Sequence, residues 1–282
     1  MTDTTGPPGT PGSGGSRTSG GSADLVEIER PHARVLARPE ARSWVEAALD
    51  RHETLHRAAS RAKDGIRMEG RGTVYAVPAP PDEIEAVLGS GEGRWAVRHY
   101  RRGGWMAPLL GDRYLNVGAP RPFEELRVSD EVRRRRLPTP RVVAAAVYPA
   151  GIMYRGDLVT VYIPDSLELA EVLFHPRRQG VSSSIDRREA MTEAGSLIRR
   201  MADAGVEHVD LNARNVLLRW SGRAPEAHLL DLDRCRLADG PLPRAADAMC
   251  DRLMRSIRKL EKRTDLGLAP GEIKALTKGL ER

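Results

Sequence analysis

Aromatic residues make up only 4% of this chain, with two phenylalanines, so its interior must be filled by Leu, Val and Ala rather than by large rings. Cysteine is as scarce. Cys235 and Cys250 cannot build a disulfide framework or a four-ligand zinc site, and the sequence reads as made for a reducing compartment, the cytoplasm. No window approaches 18 uninterrupted apolar residues. The longest candidate, Val142 to Met153, is broken by Pro149 and Gly151, so no membrane-spanning helix is expected. A charged segment followed by an apolar one is missing from the N-terminus, and with it the mark of a secretory signal. What is present is a soluble composition, 40% hydrophobic and 30% charged over 282 residues, which excludes a wholly disordered chain. Lys and Arg exceed Asp and Glu by 45 to 39, a net charge of +6 that leans mildly toward anionic partners.

Residues 1–23 contain only Met1, Asp3, Arg17 and Ala23 besides Gly, Ser, Thr and Pro, and this stretch is expected to be a disordered tail. Helical recurrence of Trp44, Val45, Leu49, Leu55 and Ala59 predicts a helix from Pro39 to Lys63, and so a helical extension over 24–64. Short β-branched or aromatic runs follow at Gly72–Val77 and Arg94–Tyr100, then a basic helix over Phe123–Arg136 and strands over Val142–Val147 and Leu158–Ile163. Helices are expected over Leu167–Phe174, Asp186–Ala204 and Ala245–Lys262, with a strand and loop block at 206–233. Strands with one helix, then mostly helices, describe an α+β, two-lobed arrangement: a strand-rich N-lobe over 65–163 and a short helical C-lobe over 164–282.

The sharpest motif is His208-Val-Asp-Leu-Asn-Ala-Arg-Asn215 followed by the apolar Val216-Leu-Leu218, with Leu229-Leu-Asp231-Leu-Asp233 closing the block. Its form is H-x-D-x-x-x-x-N, with a second aspartate 21 positions after the first. Phosphoryl transfer needs this set. One carboxylate orients the acceptor hydroxyl and takes its proton, while an amide and another carboxylate hold the magnesium that bridges nucleotide phosphates. Asp210 is then the catalytic base, and Asn215 and Asp231 are the metal ligands. Such an enzyme also needs a strand cation on the phosphates and a helix carboxylate to hold that cation. Trp95-Ala-Val-Arg98 has the shape of the strand, with Arg98 in place of a lysine; Glu125 is the expected carboxylate and Glu124 the alternative. Gly70-Arg-Gly72, just before a strand, has the makings of a loop over the phosphates, although Tyr75 stands where the third glycine of G-x-G-x-x-G would be.

With these residues in hand, positions 65 to 280 resemble the lipopolysaccharide core kinases related to protein kinases, among them those that phosphorylate 3-deoxy-D-manno-octulosonic acid (Kdo) on lipid A. The resemblance is carried by Gly70-Arg-Gly72, Val97-Arg-His-Tyr-Arg-Arg-Gly-Gly104, Gly111-Asp-Arg-Tyr-Leu115, Phe123-Glu-Glu125 and Leu137-Pro-Thr-Pro140. Asp210-Leu-Asn-Ala-Arg-Asn215, Asp231-Leu-Asp-Arg234 and Arg252-Leu-Met-Arg-Ser-Ile-Arg-Lys259 extend it; Leu232 stands where the family has an aromatic. It implies a protein-kinase-like fold, ATP and Mg2+ as cofactors, and Kdo-lipid A as acceptor. Because Kdo carries a carboxylate and lipid A carries phosphates, it also implies Arg101, Arg102 and Arg113 as the acceptor-binding cations.

Other readings compete. His52-Glu53-Thr-Leu-His56 fits the H-E-x-x-H of a zinc metalloprotease, but Asp50, Arg51, Arg57 and Arg61 surround it with charge and no third ligand stands out. Asp231-Leu-Asp233 fits the D-x-D of glycosyltransferases, and the arginine clusters 98–102 and 133–136 could meet nucleic acid, although the aromatics for base stacking are scarce. Another kinase-like phosphotransferase, acting on a small molecule or a protein, is the nearest alternative. Only 49 residues follow Asp233, few for helices that hold a peptide, so a small or lipid-linked hydroxyl acceptor is expected. The last helix sets Met249, Leu253, Ile257 and Leu260 against Arg252, Arg255, Arg258, Lys259, Lys262 and Arg263, which suits either a core helix with a wet face or contact with an anionic membrane surface.

Overall fold

The computed structural model describes residues 25–69, 72–80, 93–100, 114–115, 118–175, 185–264 and 266–281. Strands β1 (Val26–Arg30), β2 (Ala33–Ala37), β3 (Ile66–Glu69), β4 (Thr73–Pro78), β5 (Arg94–His99), β6 (Tyr114–Leu115), β7 (Val142–Ala150) and β8 (Met153–Val161) form one antiparallel sheet. Its order is β1-β2-β7-β8-β5-β4-β3, with β6 pairing β8. Nearly every residue of β7 is buried, where a sheet with one wet face would alternate. The cause is that both faces are covered.

On one face lie α1 (Arg42–Arg51) and α2 (Leu55–Ser60), whose Val45, Leu49 and Leu55 pack with Trp95, Val97, Val143, Tyr148 and Val159. On the other lies α3 (Arg121–Arg134), whose Phe123 and Leu126 pack with Val142, Ala145, Val147 and Leu158. The segment 24–64, expected as a helical extension, therefore contributes β1 and β2 to the sheet and, in α1 and α2, the layer that covers its outer face. Without that layer Trp95 and Tyr148 would face water. The expected single helix over 39–63 is also interrupted: a 3-10 turn at Pro39–Ala41 precedes α1, and His52 at the end of α1 is extended.

The C-terminal part follows β9 (Ser166–Glu168) with α4 (Leu169–Phe174), α5 (Arg187–Asp203), β10 (Val206–His208), β11 (Val216–Trp220), β12 (Pro225–Leu229), β13 (Cys235–Leu237), α6 (Pro243–Thr264) and α7 (Pro270–Leu280). Asp186 caps α5 by accepting from the amides of Arg188 and Glu189, at 2.8 and 3.1 Å. The interior is built from Leu197, Ile198, Met201, Leu211, Leu218, Met249, Leu253 and Ile257, the apolar side of α6 read from sequence among them. Helix α7 was not foreseen. It rests on α5 through two glycines: a Cβ on Gly195 would lie 2.2 Å from the Leu276 carbonyl oxygen, and one on Gly279 would lie 2.1 Å from that of Thr192. Among the described residues no helix is long and apolar enough to cross a membrane.

Candidate active site

Strand β5 runs between β4 and β8, with Arg98 opposite Val74 on one side and Leu158 on the other. Its side chain points toward α3, the same side as Tyr100 two positions on. Helix α3 can reach it because Gly156 of β8 has no side chain; a Cβ there would stand 2.6 Å from Pro122 Cγ in the first turn of the helix. Glu125, one turn in and 3% exposed, then forms an ion pair with Arg98. Glu124, the alternative read from sequence, turns outward to Arg127 at 3.9 Å.

Both oxygens of Glu125 are used. Oε1 accepts from Arg98 Nη2 and from the backbone amide of Leu232 (3.3 Å), and Oε2 accepts from the Tyr100 hydroxyl. The Tyr100 ring also lies under the Arg98 guanidinium, 4.9 Å from Cζ to the ring centre. Burial works against the charge on Arg98, but Glu125, Tyr100, Asp231 and Asp233 overcome it and hold the guanidinium protonated. Tyr100 was missed in the sequence, although strand alternation puts it on the face of Arg98 and it stands in the distinctive His-Tyr-Arg-Arg segment.

The loop after β10 is organised by buried His208. Its Nδ1 accepts from the Asp210 amide (3.2 Å), so the proton sits on Nε2 and points to the Leu230 carbonyl (3.4 Å). Burial lowers the histidine pKa and keeps the ring neutral. Asn212 and Asn215 both donate through Nδ2 to the Asp210 carbonyl, at 3.0 and 3.3 Å, and Asn212 Oδ1 accepts from the Arg214 amide at 3.0 Å. The backbone of Asp210 is thus clamped, while its carboxylate is exposed and makes no hydrogen bond or ion pair among the described residues. The loop is tied to the hairpin by the Leu230 amide, which donates to the Asn215 carbonyl at 2.9 Å.

Two residues past β12, Asp231 takes a left-handed conformation (φ 62°, ψ 57°), one that aspartate tolerates better than most side chains. This turns its carboxylate to Arg98 Nη1 at 3.5 Å, while Leu232 is buried in the C-terminal core. Asp233, 7% exposed, pairs with Arg121 at 3.3 Å. Burial first, then Asp231 and Glu125, push its pKa up to about 6 against the pull of Arg121 and Arg98. Arg121 was not singled out from sequence; no motif marks it.

Arg98, Glu125, Asn215, Asp231 and Gly72 all line one cleft of about 1320 Å³ between the sheet and the C-terminal part, together with Tyr162 and Ile163 of the linker that joins them. Asp210 is not in its wall but stands beside it, through the hydrogen bond to Asn215. Gly70, Arg101, Arg102 and Arg113 lie outside the described residues. The zinc reading fails on geometry. His52 is extended after α1, Thr54 caps α2 by accepting from the Arg57 amide (3.0 Å), and His56 Nε2 meets the Thr73 carbonyl at 3.0 Å. The two histidines share no helix, and among the described residues no three His, Cys, Asp or Glu side chains are grouped to hold a metal.

Curated relatives of this chain carry the name 3-deoxy-D-manno-octulosonic acid kinase. That of Xanthomonas oryzae pv. oryzae is 36% identical over 194 residues, 68% of this chain and 68% of the relative. That of Actinobacillus succinogenes is 31% identical over 189 residues, 66% and 75%. That of Haemophilus influenzae is 30% identical over 201 residues, 64% and 79%. A solved structure titled "WaaP in complex with acyl carrier protein" aligns at 15% identity over 88% of this chain and 89% of that one with a TM-score of 0.48, a likeness too loose to argue from. Residues 83–279, which hold Arg98, Glu125, Asp210, Asn215 and Asp231, match the family described as the Lipopolysaccharide kinase (Kdo/WaaP) family, and the chain belongs to that family.

Proposed function

We propose that this kinase transfers the γ-phosphate of ATP to a hydroxyl of the Kdo residue of Kdo-lipid A, at the cytoplasmic face of the inner membrane. The observation that carries the reading is the meeting of Arg98, Asn215 and Asp231 in one cleft beside Asp210. Arg98, fixed by Glu125 and Tyr100, grips the donor phosphates. Asp231 and the amide oxygen of Asn215 fit a magnesium ion, a hard cation that takes oxygen ligands and fills its remaining positions with phosphate and water. Bound there, Mg2+ neutralises charge on the phosphates.

Asp210 accepts the proton of the acceptor hydroxyl as its oxygen bonds to the γ-phosphorus and the bond to the β-phosphate oxygen breaks, leaving ADP. A carboxylate exposed on a clamped backbone suits that role, since it keeps its place while open to a bulky acceptor. Arg101, Arg102 and Arg113 supply cations for the Kdo carboxylate and the lipid phosphates. The exposed Arg255, Arg258, Lys259, Lys262 and Arg263 of α6 meet anionic headgroups at the membrane surface.

Radiolabelled ATP supplied with Kdo-lipid A, free sugars and a generic polypeptide tests the reading: label should enter Kdo-lipid A in strong preference. Equal labelling of the polypeptide would overturn the acceptor assignment. Replacing Arg101, Arg102 and Arg113 together with Ala should raise the acceptor KM much more than the ATP KM, increasingly so as salt is added.

A further inference from the structure

The cleft has two distinct ends. Arg98 lies opposite Leu158, whereas Val161 lies opposite Trp95, three residues back along β5 and on the order of 10 Å away. The linker residues Tyr162 and Ile163 continue beyond that point. If phosphates lie at Arg98 and Asp231, the linker end receives the nucleoside. Part of the wall comes from far along the chain: Thr264 at the end of α6 and Leu266 beyond it line the cleft together with Phe174 of α4, the helix against which α6 packs.

Among the described residues Leu266 is one of few large apolar side chains left open to solvent, at 38% exposure, and it lines a cleft. Its surroundings are fixed. The Leu268 amide donates to Glu261 Oε1 at 2.7 Å, Arg187 Nη2 donates to the Gly267 carbonyl at 3.1 Å, and Arg187 pairs with Glu272 of α7 at 2.9 Å. The close contact of Gly195 with Gly279 holds α7 itself on α5. The described segment from Leu266 to Ala269, held by these contacts, thus presents a leucine to the open side of the cleft.

We propose that the turn after α6 is the outer wall of the donor site and that Leu266 packs on the nucleoside of the phosphate donor. This rests on the reading that a nucleotide occupies the cleft. The phosphate-binding residues come from the sheet and the catalytic loop, and the nucleoside contact from the C-terminal helices. Leu266 therefore discriminates a nucleotide from a bare polyphosphate.

Calorimetric titration of the full-length protein with ATP-Mg2+ and with inorganic tripolyphosphate-Mg2+ tests it. Leu266→Ala should weaken ATP about fivefold to tenfold and Leu266→Asp more than about tenfold, while tripolyphosphate affinity stays within about twofold. Leu266→Met, which keeps the apolar bulk, and Ile273→Asp, an exposed position on α7 outside the cleft wall, should both bind ATP as the parent does. The inference is overturned if the Ala and Asp variants bind ATP as tightly as the parent, if ATP and tripolyphosphate weaken together, or if Leu266→Met loses as much as Leu266→Asp. Failure of the parent itself to bind either ligand would instead bring down the reading of the cleft, and this inference with it.

Discussion

The two halves of the cleft treat charge in opposite ways. On the sheet side, Arg98 and Glu125 are tied to each other, to Tyr100, to Asp231 and to the Leu232 amide, with Glu125 almost wholly buried. On the C-terminal side, Asp210 has its backbone clamped by two asparagines and its carboxylate exposed, without a hydrogen bond or ion pair among the described residues. Phosphate binding calls for a cation whose position is fixed before the ligand arrives, whereas proton acceptance calls for a carboxylate that the acceptor can reach. The first half therefore couples its chemistry to the fold, and the second is separable from it. Substitutions in the sheet half should cost stability and activity together, and substitutions at Asp210 should cost activity alone.

Glu125→Ala should have the largest effect. It strands the Arg98 guanidinium and removes the acceptor of the Leu232 amide, and breaking a buried pair from one side costs about 3–5 kcal/mol. Chemical denaturation should register that loss, and phosphoryl transfer should fall to near background because both Arg98 and the Asp231 turn lose their anchor. A variant as stable as the parent would break the contrast. Asp210→Asn keeps the shape and removes the charge: turnover should fall about 10²-fold or more with ATP affinity nearly intact and no change in the denaturation midpoint.

Between these extremes lies Asp233, buried like the sheet-side charges yet carrying a pKa raised to about 6 from an ordinary 3.8. A carboxyl whose folded pKa is raised holds its proton longer in the native state than in the unfolded one. Its contribution therefore weakens the fold progressively as pH rises from about 3.8 to about 6, and stays constant above that. Replacing it by Asn should flatten this part of the stability curve, by about 2–3 kcal/mol across the window, as read by urea denaturation at stepped pH. An unchanged slope would mean that Arg121 holds the carboxylate ionised throughout.

How much of this could be read in the residues varies with the range of the interaction. The loop after β10 was legible because its geometry is local: His208, Asp210, Asn212 and Asn215 satisfy one another within eight positions. Arg98 and Glu125 were legible through strand and helix periodicity, although 27 positions separate them. The break of the helix at His52 was not, since Asp50 to Arg57 has helical composition and what stops it is the pairing of the Leu55 amide with the Tyr148 hydroxyl (2.8 Å) and of the His56 amide with Asp157 (2.7 Å) across the sheet. For the same reason β2 was missed, because its pairing with β7 lies over a hundred positions downstream, and with it β1, which among the described residues pairs only with β2. Helix α7 was missed although Leu276 and Leu280 pack into the C-terminal core, because Pro270, Gly271 and Gly279 give its eleven residues a turn-like composition, and the close approach of Gly279 to α5 is visible only in three dimensions.

That outer face supplies the smallest expected effect and the sharpest limit on the comparison. Buried Asp157 accepts from His99 Nδ1 (2.6 Å), the Tyr148 hydroxyl (2.8 Å) and the His56 amide (2.7 Å), and His56 also packs edge-on to Tyr75 at 5.1 Å. This network is as well partnered as the one around Glu125, but it pins α2 to the sheet. Pairing and burial alone would thus mark two sites where the chemistry needs one. Changing His52 and His56 together to Ala removes the bond from His56 Nε2 to the Thr73 carbonyl and leaves the backbone amide that meets Asp157 in place. The double variant should lose about 1 kcal/mol of stability, one net hydrogen bond, with kcat and the ATP KM unchanged and no zinc in either protein by elemental analysis. Near-equimolar zinc in the parent that the variant lacks, or a large fall in turnover, would make the outer face a second functional site and undo the division of labour drawn between the two halves of the cleft.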